Sequence, residues 1–233
     1  MTQNTYAPSQ LGVRPDARLA QAFLTQSFFW MFLGLLVTTG VGFLISSVPQ
    51  ETLLKYAWLA LPLLFVQLGV AFGLSLAIQK ISATVGLLLF FVYAAITGVT
   101  LGFILLTYEL GSIVAAGSSA AAVFGAAAIY GAVTKRDLSG LGPYLLMGLV
   151  GVIVASVVNW FIGWDWLSYG ISVLGVVVFT ALTAYDVQKI QQGDIAAWTG
   201  SMEKGAVMGA FKLYLDFINL FFLLLRLFGN GRS

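Results

Sequence analysis

The reading of this chain turns on two stretches near its end, Thr180-Ala181-Leu182-Thr183-Ala184-Tyr185-Asp186-Val187-Gln188 and Lys212-Leu213-Tyr214-Leu215-Asp216-Phe217-Ile218-Asn219. Each sits in an apolar run of membrane length and carries an aspartate where hydrocarbon should exclude one. An acid at mid-bilayer costs about 2.5 to 3.5 kcal/mol on insertion scales, so both demand partners or water. Those must come from the rest of the chain.

Of the 233 residues, 60% are hydrophobic and only 9% are charged. Soluble domains carry about 25% charged residues, so the composition is that of an integral membrane protein. The apolar runs are continuous, whereas a membrane barrel needs short alternating segments. Runs over 23–48, 53–78, 83–107, 112–133, 142–162, 167–190 and 205–228 each supply about 20 apolar residues. They predict an all-α polytopic membrane protein, a bundle of seven transmembrane helices over 23–228, with polar tails over 1–22 and 229–233. The first run is longer than a signal-peptide core, and its exit at Ser46 and Ser47 is no small-x-small cleavage site, so it is read as a retained helix. Around Tyr108 and Glu109 the polar break is so short that the third and fourth spans must form a tight hairpin. Glu109 itself is read as a solvated residue of that turn.

Absences narrow the function. The chain has no cysteine and no histidine, which removes disulfides, thiolate chemistry, the usual zinc ligands and the ordinary switch near neutral pH. Proton sensing then falls to carboxylates. A net charge of +2 with no Lys/Arg stripe excludes nucleic acid as a partner, and no Gly-rich turn ends in the Lys-Ser/Thr of a phosphate loop. No cofactor is expected.

Charge also orients the chain. With a cytoplasmic N-terminus, that side receives Arg14, Arg18, Lys80, Lys135, Arg136, Lys189 and Lys204, seven basic residues, against Lys55, Arg226 and Arg232 outside. The positive-inside rule favours that arrangement. Trp58, Trp160, Trp164 and Trp166 then fall at the outer interface, where an aromatic belt puts them, and Trp198 at the inner one. In span four, Ala115, Ser118, Ser119, Ala122, Gly125 and Ala126 suggest close helix packing.

On span seven, Gly205, Gly209, Lys212, Asp216 and Asn219 recur at steps of three or four and form one small and polar stripe. A helix with such a face turns it inward, so the last span is expected to be central. The plainer reading is an i,i+4 pair of Lys212 and Asp216 that serves assembly alone. On span six, Ser172, Gly175, Phe179, Leu182 and Asp186 follow a similar step, with Thr183 and Tyr185 alongside. Asp216 lies about 16 Å along span seven from Gly205, at 1.5 Å per residue. Asp186 and Asp216 meet if the start of that span is partly interfacial, and Lys80, at the end of span two, reaches the same side. Two carboxylates brought together titrate as one coupled unit, and taking up a proton would exchange one set of pairings for another. This is the pattern of a proton-responsive gate.

The two carboxylates also suit a hard cation, but calcium takes six to eight oxygens. With Asn219, backbone carbonyls and water the site would be weak and transient, which fits permeation better than storage. Tyr185-Asp186 loosely matches one half of an intramembrane aspartyl protease, yet Tyr214-Leu215-Asp216 lacks the Gly that the second half requires. An enzyme is therefore not expected. A retinal receptor has no support beyond Lys212, for which Asp216 is the simpler partner.

The order and spacing of four motifs carry a family resemblance: Thr97-Gly98-Val99-Thr100-Leu101-Gly102, Gly131-Ala132-Val133-Thr134-Lys135-Arg136-Asp137-Leu138, Phe179-Thr180-Ala181-Leu182-Thr183-Ala184-Tyr185-Asp186 and Leu213-Tyr214-Leu215-Asp216-Phe217-Ile218-Asn219-Leu220. With them the chain, from about Arg18 onward, resembles the transmembrane Bax-inhibitor-1 motif family, in particular its bacterial calcium-leak proteins. The resemblance implies a bundle around a central seventh helix in a bacterial inner membrane, passing calcium passively in response to protons. It implies Asp186 and Asp216 as the paired acidic sensor on the cytoplasmic side. It also implies a basic latch at Lys80, where the related protein has Arg; Lys is a point charge and cannot form Arg's planar fork. An acid that the related protein carries in span two falls near Gly69 here, with Gln67 the nearest polar group. Some relatives resemble modulators of a membrane-anchored protease, which implies the alternative of a scaffold that transports nothing.

Overall fold

The computed structural model describes residues 17–229. Most of the tail expected over 1–22, and all but the first residue of that expected over 229–233, therefore lie outside the described residues. What is described is all-α: α1 Ala17–Ser46, α2 Gln50–Lys55, α3 Ala60–Ala77, α4 Ala83–Leu105, α5 Leu110–Val133, α6 Gly142–Ile162, α7 Asp165–Gln191, α8 Asp194–Thr199 and α9 Met202–Phe228. Among these residues six helices, α1, α4, α5, α6, α7 and α9, are long and apolar enough to cross a bilayer.

The run expected as span two differs. It folds as α2, a 3-10 turn over Ala57–Leu59 and the 18-residue α3. Eighteen residues rise about 27 Å, slightly less than the roughly 30 Å of hydrocarbon. Pro62 explains where the helix restarts: it sits in the first turn of α3, where its missing N–H breaks no helical bond. Only residues 106–109 separate α4 from α5, as short a break as the sequence predicts.

The chain divides into two compact units. The first holds α1 to α4, α8 and α9 as far as Tyr214. Its α1 and α4 pack at glycines: a β-carbon on Gly98 would lie 2.6 Å from the Thr38 carbonyl oxygen, and one on Gly102 would lie 2.5 Å from the Ile45 β-carbon. The motif Thr97 to Gly102 is thus a packing face, buried at Thr97, Gly98, Leu101 and Gly102. Phe90 and Tyr93 of α4 meet Phe211 and Tyr214 of α9 edge to face, with centroids 5.2 to 6.0 Å apart.

A buried polar layer runs through this unit. Thr38 Oγ1 donates to the Ala94 carbonyl at 2.9 Å and lies 2.6 Å from the Tyr214 hydroxyl. A hydroxyl has one proton, so Tyr214 must be the donor to Thr38. Gln67 donates to Thr97 Oγ1 at 3.1 Å, which in turn donates to the Tyr93 carbonyl, so the polar residue of the second apolar run is satisfied by the first motif. Thr38→Val is expected to take from the buried Tyr214 hydroxyl its acceptor at Thr38 and to cost about 1 to 3 kcal/mol, whereas Tyr214→Phe leaves Thr38 bonded to Ala94 and should cost about 1 kcal/mol. Thermal unfolding of the purified protein in detergent checks the order; equal losses would contradict the donor assignment.

At one end of this unit α8 lies between Gly193 and Gly200, both at positive φ, a conformation that glycine adopts without strain. The α-carbon of Ala196 lies 2.7 Å from where a Gly205 β-carbon would be, so α8 packs on the first turn of α9.

The second unit holds α5, α6, α7 as far as Lys189, and α9 from Leu215. The buried face of α5 is Ser112, Ala116, Ala120, Phe124, Ala127, Ala128 and Gly131. Ala115, Ser118, Ala122 and Ala126, read as packing residues from the sequence, are exposed. Small residues surround this helix on all sides, so size alone could not select the face. Phe124 meets Phe217 at 5.5 Å, and Gly175 admits Leu223, whose terminal carbon lies 2.8 Å from where a β-carbon would be. Gly163, at positive φ, ends α6, and Asn159 binds the turn through the Trp164 N–H at 3.1 Å and Ser168 Oγ at 2.6 Å. Trp58, Trp160, Trp164 and Trp166 are exposed, as lipid-facing belt residues would be.

Candidate functional site: two buried carboxylates

Asp186 and Asp216 are each only 4% exposed, on apolar helices of membrane length. Both belong to the second unit, Asp186 from α7 and Asp216 from the later half of α9. Of the six membrane-length helices, α9 is the most enclosed, with 67% of its most apolar stretch buried against 17% to 39% in the others. The amphipathic stripe read from its sequence is consistent with that enclosure.

The supporting polar residues divide by what their side chains do. Thr183 is fully buried and donates to the Phe179 carbonyl of its own helix at 2.8 Å. Asn219 is half-buried and donates one of its two amide hydrogens to the Leu215 carbonyl at 2.7 Å. Lys212 is half-buried, one turn before Asp216. Tyr185 is half-buried, with Lys189 Nζ 5.8 Å from its ring centroid.

Lys80 is exposed, on the turn that follows α3 in the first unit. That turn is tied down by its neighbour. Gln79 donates to the Trp198 carbonyl at 2.9 Å, and Lys204 Nζ donates to the Gln79 carbonyl at 2.9 Å. The two carboxylates and Lys80 thus lie in different units.

One residue of consequence escaped the sequence reading. Gln188 is 5% exposed and grips the chain some fifty residues earlier: its Oε1 accepts from the Leu138 N–H and its Nε2 donates to the Arg136 carbonyl, both at 2.8 Å. Lys189 Nζ donates to Ser139 Oγ at 2.5 Å. Leu138 is buried in one cluster with Ala127 and Ala184, against Tyr185. A glutamine at the end of an apolar helix was the available signal. Its partner, two backbone groups of a remote loop, left no trace in side-chain identity.

Among the described residues, no group of three His, Cys, Asp or Glu side chains is placed to hold a metal ion.

Comparison with known proteins bears on the same residues. The family model described as "Inhibitor of apoptosis-promoting Bax1" matches residues 20–233, which include both aspartates. The chain belongs to the Bax inhibitor-1 family. Within that family it is similar to the inner membrane protein YbhL of Escherichia coli K12, 42% identical over 94% of this chain and 96% of the relative. It is also similar to a protein of Borreliella burgdorferi, 40% identical over 94% of this chain and 97% of the relative, and to one of Deinococcus radiodurans, 39% identical over 91% and 92%. The Bax inhibitor-1 match extends well beyond the charged motifs, over the packing face of α4 and the loop that Gln188 holds.

Proposed function

We propose that this protein is a proton-responsive calcium leak, in which Asp186 and Asp216 form a coupled pair that governs passive flux. The observation that carries the reading is the deep burial of two carboxylates within one unit of a membrane-helix protein. Such groups are retained where an ion or proton must pass. The choice of ion rests on the resemblance of the four motifs to calcium-leak proteins, with which membership of the Bax inhibitor-1 family is compatible. In this reading α3 completes a bundle of seven spans around α9, Lys80 is the latch, and calcium is cargo bound only in passing. Tyr185, Thr183, Lys212 and Asn219 shape the pair's surroundings. The protein sits in a bacterial inner membrane, the location in the name of YbhL, with its N-terminus in the cytoplasm as the seven-to-three distribution of basic residues favours. It catalyses no covalent chemistry.

The test is purified protein in vesicles that hold a calcium dye, assayed across pH for wild type, Asp186→Asn and Asp216→Asn. Wild type is expected to admit calcium with a pH dependence that either substitution flattens. Calcium-tight vesicles, or flux whose pH dependence survives both substitutions, would sink the reading in favour of a scaffold.

A further inference from the structure

The turn of α7 that carries Asp186 is held from outside by the loop between α5 and α6. Gln188 bonds both the Arg136 carbonyl and the Leu138 N–H, Lys189 bonds Ser139, and Leu138 packs beside Ala184 and Tyr185. The carboxylate-bearing turn is flanked by close approaches as well. A β-carbon on Gly131 would sit on the Ala184 carbonyl, and one on Gly142 would lie 2.9 Å from the Tyr185 hydroxyl oxygen. Asp137 shapes the loop by accepting from the Ser139 N–H at 2.9 Å, while Lys135 and Arg136 stay exposed beside it.

A buried amide bound to two backbone groups is a strong restraint, because breaking it strands the buried Leu138 N–H and the amide together. We propose that Gln188 is a positioning residue that makes the 134–139 loop a strap on the Asp186 turn, so that loop and carboxylate move as one body. Asp186 cannot change its pairing by shifting its backbone unless the strap follows. Conversely, the loop reports at the surface what happens at the buried acid. The regulatory meaning of this coupling rests on the leak reading above; the coupling itself does not.

Exposed Lys135 and Arg136 supply the probe, since trypsin cuts there only when the loop lifts from α7. The full chain in lipid nanodiscs, open to protease on both faces, is digested as wild type, Gln188→Ala, Asp186→Asn and the double variant. Gln188→Ala is expected to raise the cleavage rate at these sites about tenfold, the size of one or two lost hydrogen bonds. Asp186→Asn should change the rate about threefold or more when Gln188 is intact and little when it is combined with Gln188→Ala, because the connection is gone. Gln188→Met, similar in length but able to bond neither backbone group, should raise the rate as Gln188→Ala does; it also serves if Gln188→Ala does not accumulate. Unchanged cleavage in Gln188→Ala or Gln188→Met, or an Asp186→Asn effect of equal size with and without Gln188→Ala, overturns the strap. Loss of calcium flux in vesicles would overturn the leak and leave this outcome standing, and the reverse also holds.

Discussion

Gly131→Ala is expected to destabilise the protein by about 3 kcal/mol or to prevent its accumulation, although it adds one methyl group. The added carbon would meet Ala184 at its carbonyl oxygen, its carbonyl carbon and its α-carbon, the last two at 2.9 Å. These are backbone atoms of a packed helix and cannot turn aside as a flexible side chain would. Relief requires α5 and α7 to separate, which opens the cluster of Ala127, Leu138 and Ala184. Ala184 lies two residues before Asp186, so under the proposed leak any protein that does fold should also show altered calcium flux. Thermal unfolding and yield in detergent measure the first effect, vesicle flux the second. A variant as stable as wild type would show that the two helices approach less closely than described.

Gly98→Ala should cost nearly as much in the other unit, about 2 to 3 kcal/mol, for the same reason between α1 and α4. Its β-carbon would lie 2.6 Å from the Thr38 carbonyl oxygen and 2.7 Å from the Val41 β-carbon. Moving α1 away would also pull Thr38 from Tyr214, so the polar layer and the packing face fail together. Gly69→Ala and Gly125→Ala are the controls, since nothing lies within 4 Å of a β-carbon at either. Both should be neutral or slightly stabilising, because alanine favours helix over glycine by up to about 1 kcal/mol. Equal losses at all four glycines would mean that the close approaches at Gly131 and Gly98 do not set their role.

Much of the fold was legible because hydrocarbon imposes a one-dimensional rule. A helix must offer a membrane-length apolar run, and the runs of α1, α4, α5, α6, α7 and α9 did so. The second run failed as one continuous helix because hydropathy does not register where the chain turns, and Tyr56 to Leu59 are apolar enough to pass for helix. The short α8 was missed likewise: its six residues between two glycines resemble a loop in composition. In α5 the sequence offered small residues on every face, and only contact with neighbours decided which were buried.

The candidate site divides in the same way. Asp186 and Asp216 stood out in the sequence because a charge in an apolar run is costly wherever the helix packs, and their burial follows from that cost. Membership of the Bax inhibitor-1 family could be read from the motifs that contain them. Only the tertiary structure decided that Gln188 binds the backbone of Arg136 and Leu138, that Tyr214 donates to Thr38, and that Gly131 lies against Ala184. Each of these joins residues about fifty or more positions apart, or depends on a backbone group that every residue shares. Hydropathy and charge are properties of single residues and survive in the sequence, whereas a hydrogen bond or a steric contact is a property of a pair and exists only once folding has brought the two together.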